Sequence, residues 1–439
     1  MTSGAAVGID FGTTNSSIAR CTGDSKVELV RFPFLGGTTE SYRSLLYLEK
    51  VREQNKNKLL SSTGPSGIER YLARETAGRL IQSLKSFLTS RTLQSTEVFG
   101  VRITIEELIA RILRDLREKA EQQFGVKITS AVAGRPVWFV GASSEDDNVY
   151  AEGRLRNAYA LAGFEHVEFE MEPVAAAHYY ESTLERDELI LIGDFGGGTS
   201  DFTLIRVGPS ILRKGRAAKD LLGNAGVGIA GDAFDAKIVR YLVSPYLGAG
   251  TSMRSVNKIL PVPTWVYSKL ERWHHLSFLK AKDTMNMLES VRAQALEPEK
   301  IEALLHLVNE DLGYRLHQSV QKTKIDLSAH GSTLFHFGDS VIDIDAVAKR
   351  PDFERWITEE LTSIEGCVDG LLQTCRVEPT KVDRVFLTGG SSFVPAVRAI
   401  FEQRFGAEKI KTGSEFTSVA QGLALKASRP KKRPRALTA

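Results

Sequence analysis

The sequence predicts an α/β protein in which one strand-turn-strand unit occurs twice. The first copy reads VGIDFGTTNSSIAR at residues 7–20, and the second reads LILIGDFGGGTSDFTLIRV at residues 189–207. In each copy an aspartate ends an apolar strand, and glycine or hydroxyl residues form the turn before a second apolar strand. Further along each half, a strand leads through a polar or glycine-rich segment into a helix, where α/β sheets collect ligands. The pattern therefore indicates an internal duplication.

The turn of the second hairpin has the composition of an anion-binding loop. Gly196, Gly197 and Gly198 carry no Cβ, so their backbone can take positive φ and direct N–H groups at a phosphate. Asp194 ends the strand and is placed to hold a cation or its waters, and the Thr199 hydroxyl is placed for a phosphate oxygen or the same cation. The alternative interpretation is a glycine-rich hairpin without a ligand.

The first hairpin repeats this order of chemical types with Asp10, Gly12, Thr13, Thr14 and Asn15. Two aspartate-tipped hairpins can face each other across one nucleotide, each giving backbone donors to phosphates and one carboxylate near a bound Mg²⁺. The repeat therefore favours a nucleotide site over an isolated glycine turn. The Asp-Phe-Gly triplets could suggest a protein kinase, but the chain has neither a His-Arg-Asp loop nor a Val-Ala-Ile-Lys strand.

Composition excludes several other classes of protein. The chain has 439 residues, 42% apolar and 25% charged, which is typical of a globular protein of two to three domains. Its net charge is +3, but five basic residues lie in the segment 429–435, so residues 1–428 carry −2 (3 − 5) and no nucleic-acid surface is indicated. The three cysteines form no Cys-x-x-Cys pair, no apolar run reaches ~20 residues, and a strand begins by Val7, before a signal peptide could fit. A cytoplasmic protein that binds neither nucleic acid nor membrane is expected.

Two charged residues of the first half have open interpretations. A helix is predicted over 77–89, where apolar residues recur at helical spacing and leave Lys85 on the other side, as on a solvated face. Glu172 follows a strand at 167–171 and immediately precedes a helix. A carboxylate there is either a ligand-binding residue or a plain helix cap.

The remaining elements of the first half have mainly structural signals. Thr104 followed by Glu107 is a capping box, and the helix that it opens is predicted to end at Gly125. A strand is predicted around 128–140 and a helix over about 148–162.

The second half repeats the theme of glycines before helices. Gly223–Asp232 is predicted to be a glycine-rich loop capped by Asp232, which is another anion-binding pattern. Residues 245–320 are predicted to be largely helical and amphipathic, and a helix is predicted over Phe353–Cys375. The strand Val382–Leu387 then leads through Gly-Gly-Ser into a helix.

Five blocks in this order resemble the ATPase domain of the seventy-kilodalton heat-shock protein family, within the actin and sugar-kinase superfamily. They are GIDFGTTNS at 8–16, the predicted helix with Lys85, EPVAAA at 172–177, GDFGGGTSDF at 193–202 and FLTGGSSFVP at 386–395. The chain also looks similar to bacterial YegD-like homologues in that family. The resemblance implies a two-lobed, actin-like ATPase fold, in which each lobe has a ribonuclease-H-like sheet and a smaller subdomain.

The resemblance also implies domain bounds. Lobe I would cover residues 1–188 with its smaller subdomain at about 36–104, and lobe II would cover 189–426 with an enlarged subdomain at about 228–350. A basic, disordered tail at 427–439 would follow. The chain ends about where the family's linker and peptide-binding domain would begin, so we expect it to lack a peptide-binding domain.

ATP or ADP with Mg²⁺ is the implied ligand, with roles carried over residue by residue. Asp10 and Asp194 would hold Mg²⁺ through water, Lys85 would reach the γ-phosphate, and Glu172 would orient the attacking water. The implied catalytic residues are Lys85, Glu172, Asp194, Thr199 and Asp201. The implied nucleotide-binding residues are Gly12, Thr13, Thr14, Asn15, Gly196, Gly197, Gly198, Gly231, Lys324, Ser328, Gly389, Gly390, Ser391 and Phe393.

Two positions on the implied adenine side depart from the family pattern. Phe393 stands where the family usually has arginine after Gly-Gly-Ser, and Ile325 stands where it has arginine after the adenosine-contacting lysine. Phenylalanine and isoleucine lack the charged, hydrogen-bonding guanidinium. Weak recognition of adenine is therefore expected, with the phosphate chemistry intact.

The leading hypothesis is a chaperone-related, slow Mg-ATPase switch, with a co-chaperone or other protein as a candidate partner. A small-molecule kinase of the same superfamily is the second hypothesis, although no carboxylate stands out as a base for a substrate hydroxyl. An actin-like nucleotide-binding scaffold is the third. The sequence leaves the client, the rate, the oligomeric state and the role of residues 245–320 open.

Overall fold

A computed structural model describes most of the chain. The described residues are 5–23, 26–34, 36–53, 56–73, 78–181, 184–214, 218–272, 276–412 and 418–428. The disordered tail was predicted to begin at residue 427, but residues 427 and 428 form the end of the helix Ser418–Ser428. The rest of the predicted tail, 429–439, lies outside the described residues.

The chain folds into two compact units. Unit 1 comprises Met1–Gly228, Cys367–Gly390 and Arg404–Ala439, and unit 2 comprises Ile229–Gly366 and Ser391–Gln403. Both hairpins belong to unit 1, so the units do not coincide with the predicted lobes. The lobe bounds at residues 188 and 189 stay a prediction.

The strands in chain order are β1 (Ala5–Phe11), β2 (Asn15–Cys21), β3 (Val27–Leu29), β4 (Phe32–Phe34), β5 (Gly37–Thr39), β6 (Tyr42–Arg43), β7 (Leu45–Glu53), β8 (Lys56–Thr63), β9 (Gly78–Gln82), β10 (Ser95–Val98), β11 (Val101–Thr104), β12 (Ile128–Arg135), β13 (His166–Met171), β14 (Glu188–Phe195), β15 (Ser200–Val207), β16 (Leu221–Val227), β17 (Ser252–Ser255), β18 (Lys258–Pro261), β19 (Ser332–Gly338), β20 (Asp343–Lys349), β21 (Arg384–Thr388) and β22 (Ile410–Thr412). The helices are α1 (Gly64–Leu72), α2 (Ile105–Phe124), α3 (Glu145–Leu161), α4 (Glu172–Glu181), α5 (Pro209–Lys214), α6 (Gly231–Ile238), α7 (Trp265–Leu270), α8 (Leu276–Leu279), α9 (Lys282–Gln294), α10 (Pro298–Asn309), α11 (Gly313–Ala329), α12 (Arg350–Trp356), α13 (Thr358–Cys375), α14 (Pro395–Phe405) and α15 (Ser418–Ser428).

Unit 1 contains two sheets with the same strand order. The first sheet runs β13-β12-β1-β2-β3, with β6 also paired to β2, and the second runs β22-β21-β14-β15-β16. In each sheet three strands consecutive along the chain are antiparallel neighbours, and two later strands add in parallel beside the first of them. The sheets therefore repeat one topology, which confirms the duplication read from the sequence.

The two aspartate-tipped hairpins are the central strands of these sheets. In the first, β1 and β2 pair so that Asp10 lies opposite Ser17. In the second, β14 and β15 pair so that Asp194 lies opposite Asp201. The first six residues of β14 are buried, as in a strand covered on both faces, and all of them except Glu188 are apolar.

Helices pack against the first sheet through a core of large aliphatic and aromatic side chains. The helix α2 begins with the predicted capping box: the Thr104 hydroxyl accepts from Glu107 N at 3.2 Å, and the Glu107 carboxylate accepts from Thr104 N at 2.8 Å. It ends at Gly125, whose φ is 65°. The core shared with α2 and α3 includes Val7, Ile9, Leu108, Ile112, Leu116, Leu155 and Tyr159.

The predicted helix over 77–89 is wrong. The structure has the strand β9 there, followed by a 3₁₀ helix at Leu84–Phe87. The strand β9 pairs with β7, and Leu46 lies opposite Ile81. Partners distant in sequence therefore overrode a spacing that also fitted a helix.

Three other predicted elements have different bounds. The first half of the expected glycine-rich loop at Gly223–Asp232 belongs to the strand β16, which ends at Val227. Asp232 lies in the first turn of α6 instead of capping it, because Ala230 is the N-cap residue. The helix predicted over Phe353–Cys375 is divided at Ile357 into α12 and α13. The strand predicted around 128–140 ends at Arg135.

Unit 2 contains the region predicted to be largely helical. Residues 245–320 form the helices α7 to α10, the start of α11, and the small hairpin of β17 and β18. A second hairpin, of β19 and β20, follows α11. Across the part of the chain that the structure describes, every helix is either too short or too polar to traverse a bilayer.

Candidate nucleotide site

Unit 1 brings five predicted charged residues into one electrostatically linked group. Asp10 comes from β1, Asp194 from β14, Asp201 from β15, Glu172 from the first position of α4, and Lys85 from the 3₁₀ helix. The pKa of each aspartate responds to Glu172 and to Lys85. Two hairpins, one helix start and one short helix thus supply four carboxylates and one ammonium group.

Lys85 and Glu172 form a buried ion pair. Lys85 Nζ donates to Glu172 Oε1 at 2.6 Å, and the two side chains are only 6% and 12% exposed. The sequence interpretation of Lys85 as part of a solvated face is therefore wrong, because the residue lies on a 3₁₀ turn that points it inward. The interpretation of Glu172 as a plain cap is also insufficient, since its carboxylate has a specific cationic partner.

The aspartates are held in an environment that disfavours their charge. Burial, followed by the charges of Glu172 and Asp194, raises the pKa of Asp10 well above its ordinary value. Burial and Glu172 raise the pKa of Asp194 to about 6, against a hydrogen bond from Thr388 and the charge of Lys85. Four carboxylates share one lysine, so the group has excess negative charge once its carboxylates ionise, and an all-oxygen donor set of this kind fits Mg²⁺.

Asp201 is the most enclosed of these carboxylates. It is 3% exposed, and burial, Glu172 and Asp194 raise its pKa, while the Thr199 hydroxyl donates to it and lowers the pKa. Its Oδ1 atom has no hydrogen-bond partner among the described residues. A Cβ at Gly226 would lie 2.6 Å from Oδ1, so only glycine leaves room for this carboxylate beside β16.

A threonine that sequence reasoning missed helps to orient Asp194. Thr388, the last residue of β21, donates from its hydroxyl to Asp194 Oδ1 at 3.2 Å. The following Gly389 has φ 87°, and a Cβ there would lie 2.0 Å from the Phe195 carbonyl oxygen. The strand-to-glycine junction could have indicated Thr388, because the residue immediately precedes the predicted Gly389 and Gly390.

The turn of the triple glycine does not use the positive φ that residues without a Cβ can take. Gly196, Gly197 and Gly198 are absent from the described glycines with positive φ, and the turn is closed by Gly196 N donating to Thr199 O at 2.9 Å. A Cβ at Gly198 would meet nothing closer than 3.9 Å. The packing of the chain therefore does not itself require glycine at 198, which is consistent with space kept for a ligand.

The first turn is anchored to its own sheet. Asn15 Oδ1 accepts from Arg43 NH1 at 3.1 Å, and the Thr14 carbonyl oxygen accepts from Ser44 N at 2.9 Å. Asn15 and Thr14 thus have structural partners in the strand β6 and the residue after it. Gly12 and Thr13 lie in the same turn, and their ligand roles stay predictions.

The residues predicted for the ribose and adenine side fall mainly in unit 2. Lys324 Nζ donates to the Gly231 carbonyl oxygen at 3.2 Å and lies 2.7 Å from Asp235 Oδ1. The Ser328 hydroxyl donates to the carbonyl oxygen of Lys324 at 3.0 Å, within the same helix. Ser391 and Phe393 belong to unit 2 and Gly389 and Gly390 to unit 1. The structure therefore brings Lys324 and Gly231 together.

Two further residues near the carboxylates carried no signal in the sequence. Tyr159 is fully buried in α3, its hydroxyl has no hydrogen-bond partner among the described residues, and after burial itself Asp10 and Glu172 raise its pKa. Burial and the charge of Asp201 raise the pKa of the Cys367 thiol to about 11. Both lie within ordinary helical patterns, so no motif marks them.

A separate cavity in unit 1 contains none of the predicted site residues. It has a volume of about 920 Å³ and is bordered by β12, β13, α3, α4 and α15. Its polar side includes Lys426, whose Nζ lies 2.6 Å from a Glu168 oxygen and 2.9 Å from a Glu170 oxygen. The charged group on the two hairpins is therefore distinct from this cavity.

The duplicated sheets with aspartate-tipped hairpins define the class of the protein as the actin-like ATPase fold, with a ribonuclease-H-like sheet in each half. A family model described as Hsp70 protein matches residues 6–255 and 294–431, and the chain belongs to this family. The family prediction is thereby confirmed, whereas the likeness to YegD-like homologues stays a prediction. The stretch between the matched segments, 256–293, lies within the subdomain at about 228–350 that the resemblance implied to be enlarged.

Curated relatives agree with this assignment. The chain is similar to the Chaperone protein DnaK of two strains of Thermus thermophilus, at 26% identity over 437 residues in each case. The match covers 96% of this chain and 60% of each relative. The chain thus spans about three fifths of the length of these relatives.

Proposed function

We propose that this chain binds Mg-ATP and hydrolyses it to ADP and phosphate as a chaperone-related nucleotide switch. The observation that carries the proposal is the buried Lys85–Glu172 pair, grouped with Asp10, Asp194 and Asp201 from the two hairpins. Membership in the Hsp70 family and the similarity to DnaK chaperones support it.

Each side chain has a distinct task in this reaction. Lys85 exchanges its bond to Glu172 for one to a γ-phosphate oxygen and stabilises the negative charge there. Glu172, released from Lys85, accepts a hydrogen bond from the attacking water and orients it. Mg²⁺ held through water by Asp10 and Asp194 would neutralise phosphate charge. No covalent nucleophile is needed, because phosphoryl transfer depends mainly on positioning and charge stabilisation.

The turns of the hairpins hold the phosphates in this proposal. Backbone N–H groups of Gly12 and Gly198 and the hydroxyl of Thr13 are the donors, because Gly196 N is already bonded to the Thr199 carbonyl oxygen. The Thr199 hydroxyl donates its one proton to Asp201, so its oxygen would face the cation instead of donating to a phosphate, and it links the turn to the innermost carboxylate.

Phosphate release in the absence of any acceptor tests the proposal directly. We expect Mg²⁺-dependent release that EDTA abolishes and that Glu172→Gln lowers at least ~100-fold. Glu165→Gln, at an exposed glutamate of the same unit, is the matched control and should retain the full rate. ADP formation only with an added hydroxyl acceptor would instead indicate a small-molecule kinase. Nucleotide-dependent sedimentation without turnover would indicate a scaffold.

Base recognition gives an independent prediction. Phe393 is 45% exposed and Ile325 is 66% exposed, and neither side chain can hydrogen-bond to a base. We therefore expect ATP and GTP to bind within ~100-fold of each other, about 2.7 kcal/mol, and adenosine alone to bind poorly. Phe393→Ala should weaken ATP and GTP equally, because ring stacking does not read base edges. Competition titrations of the parent chain and of Phe393→Ala measure these affinities. Tight adenosine binding would mean that a specific adenine pocket exists.

A further inference from the structure

We propose that the exposed face of the hairpin formed by β19 and β20 binds a divalent transition-metal ion such as Zn²⁺. His336, Asp343 and Asp345 each offer one ligand atom, and these atoms lie within 4.8 Å of one another. The three residues belong to unit 2 and to none of the nucleotide-binding motifs. We call this set the hairpin triad.

Strand pairing places the hairpin triad on a single face. His336 lies directly opposite Asp345, and Gly338 lies opposite Asp343. Residues two apart on a strand point to the same side, so both aspartates flank the imidazole: Asp345 directly and Asp343 diagonally. His336 Nδ1 already lies 2.8 Å from Asp345 Oδ1. A bound metal ion would replace this hydrogen bond, and the two side chains would move slightly apart to coordinate it.

The other face of the hairpin makes this arrangement rigid. Phe335, Phe337 and Ile344 are at most 4% exposed. Alternation along the strands therefore fixes which side chains point outward. A register slip would expose these apolar side chains, so the triad is held in place by the core of unit 2.

The turn of the hairpin is also closed by specific hydrogen bonds. Asp339 Oδ1 accepts from Val341 N and Ile342 N at 2.9 Å each, and Asp339 N donates to the Ile342 carbonyl oxygen at 2.7 Å. His306 Nε2 lies 2.8 Å from Asp339 Oδ2, which joins the turn to α10. The backbone that carries the three ligands is thus fixed before any metal arrives, which lowers the ordering cost of binding.

Charge and exposure favour a cation at this place. Among the described residues, no lysine or arginine forms an ion pair with Asp343 or Asp345, so the two carboxylates are not neutralised by the chain. His336 and Asp345 are 62% and 57% exposed, which leaves open positions for water on the metal. One imidazole with two carboxylates is a ligand set suited to Zn²⁺, Co²⁺ or Ni²⁺, whereas Mg²⁺ and Ca²⁺ prefer oxygen ligands alone.

Calorimetric titration of the full chain with ZnCl₂, in excess Mg²⁺ to fill sites made of oxygen alone, tests the proposal. We expect one Zn²⁺ per chain, and an affinity at least ~10-fold lower for His336→Ala, for Asp343→Asn and for Asp345→Asn. The matched control is His330→Ala, an exposed histidine that precedes the same hairpin, and it should bind Zn²⁺ like the parent chain. Because all three ligands are exposed, the variants should keep the parent melting temperature without metal.

Histidine ring signals in NMR spectra identify the site. Zn²⁺ should shift the ring resonances of His336 and leave those of His330 unchanged. Zinc binding that survives His336→Ala undiminished, or the absence of zinc binding by the parent chain, would overturn the proposal. Neither result would bear on ATP hydrolysis, because Lys85 and Glu172 belong to unit 1.

Discussion

Replacing Lys85 by methionine should lower the rate of phosphate release at least ~100-fold, about 3 kcal/mol, while ATP affinity changes far less. The ammonium group acts chiefly on charge that develops in the transition state. The same substitution should reduce the free energy of unfolding by about 3–5 kcal/mol, because it leaves the Glu172 carboxylate buried without a cation. Single-turnover phosphate release, nucleotide titration and urea unfolding measure the three quantities.

A second substitution separates the effect on chemistry from the effect on folding. In Lys85→Met combined with Glu172→Gln, no unpaired charge remains, so most of the lost stability should return while the rate stays low. Lys127→Met, at an exposed lysine of unit 1, is the matched control and should change neither quantity. Parent-like phosphate release by Lys85→Met would remove Lys85 from the catalytic machinery.

The hairpins were predictable because their signals are local. Apolar strands broken by aspartate, glycine and hydroxyl residues give β1 with β2 and β14 with β15 without any knowledge of the rest of the chain. The capping box of α2 is also a local signal. Their repetition then predicted the duplicated sheet, which the matching strand orders confirm.

The environment of the site was not predictable, because it depends on contacts between distant segments. The Lys85–Glu172 bond joins residues 87 positions apart, and the inward position of Lys85 follows from β9 pairing with β7. The same holds for Thr388 and Asp194, which are 194 positions apart. Patterns of apolar spacing report which face of an element is covered but not which partner covers it.

The pKa of Asp194 predicts a trade-off between stability and function. This pKa is about 6 in the folded chain, raised first by burial and then by Glu172, against an ordinary value near 3.9. The folded state therefore binds more protons than the unfolded state between about pH 4 and pH 6. Its stability should fall as the pH rises through this window, since the carboxylate must ionise inside the protein.

Asp194→Asn should therefore stabilise the nucleotide-free protein in EDTA at pH 7 by up to about 3 kcal/mol. Asparagine keeps an oxygen that can accept the Thr388 hydrogen bond, and it carries no charge. The gain should shrink as the pH falls below about 6 and vanish near pH 4, where the parent carboxyl group is protonated. Urea unfolding at several pH values measures it.

Asp147→Asn is the control, and it should change the free energy of unfolding at pH 7 in the opposite direction, by lowering it. Hydrogen bonds from Ser143 hold the pKa of Asp147 at about 2, so its charge stabilises the folded chain at pH 7, and this contribution is lost only as the pH falls through about 4 to 2.

Added Mg-ATP should stabilise the parent chain more than Asp194→Asn, because the variant has lost one of the two carboxylates proposed to hold Mg²⁺. If Asp194→Asn is no more stable than the parent at pH 7, the carboxylate is not destabilising in the free protein. The excess negative charge assigned to the site would then be wrong.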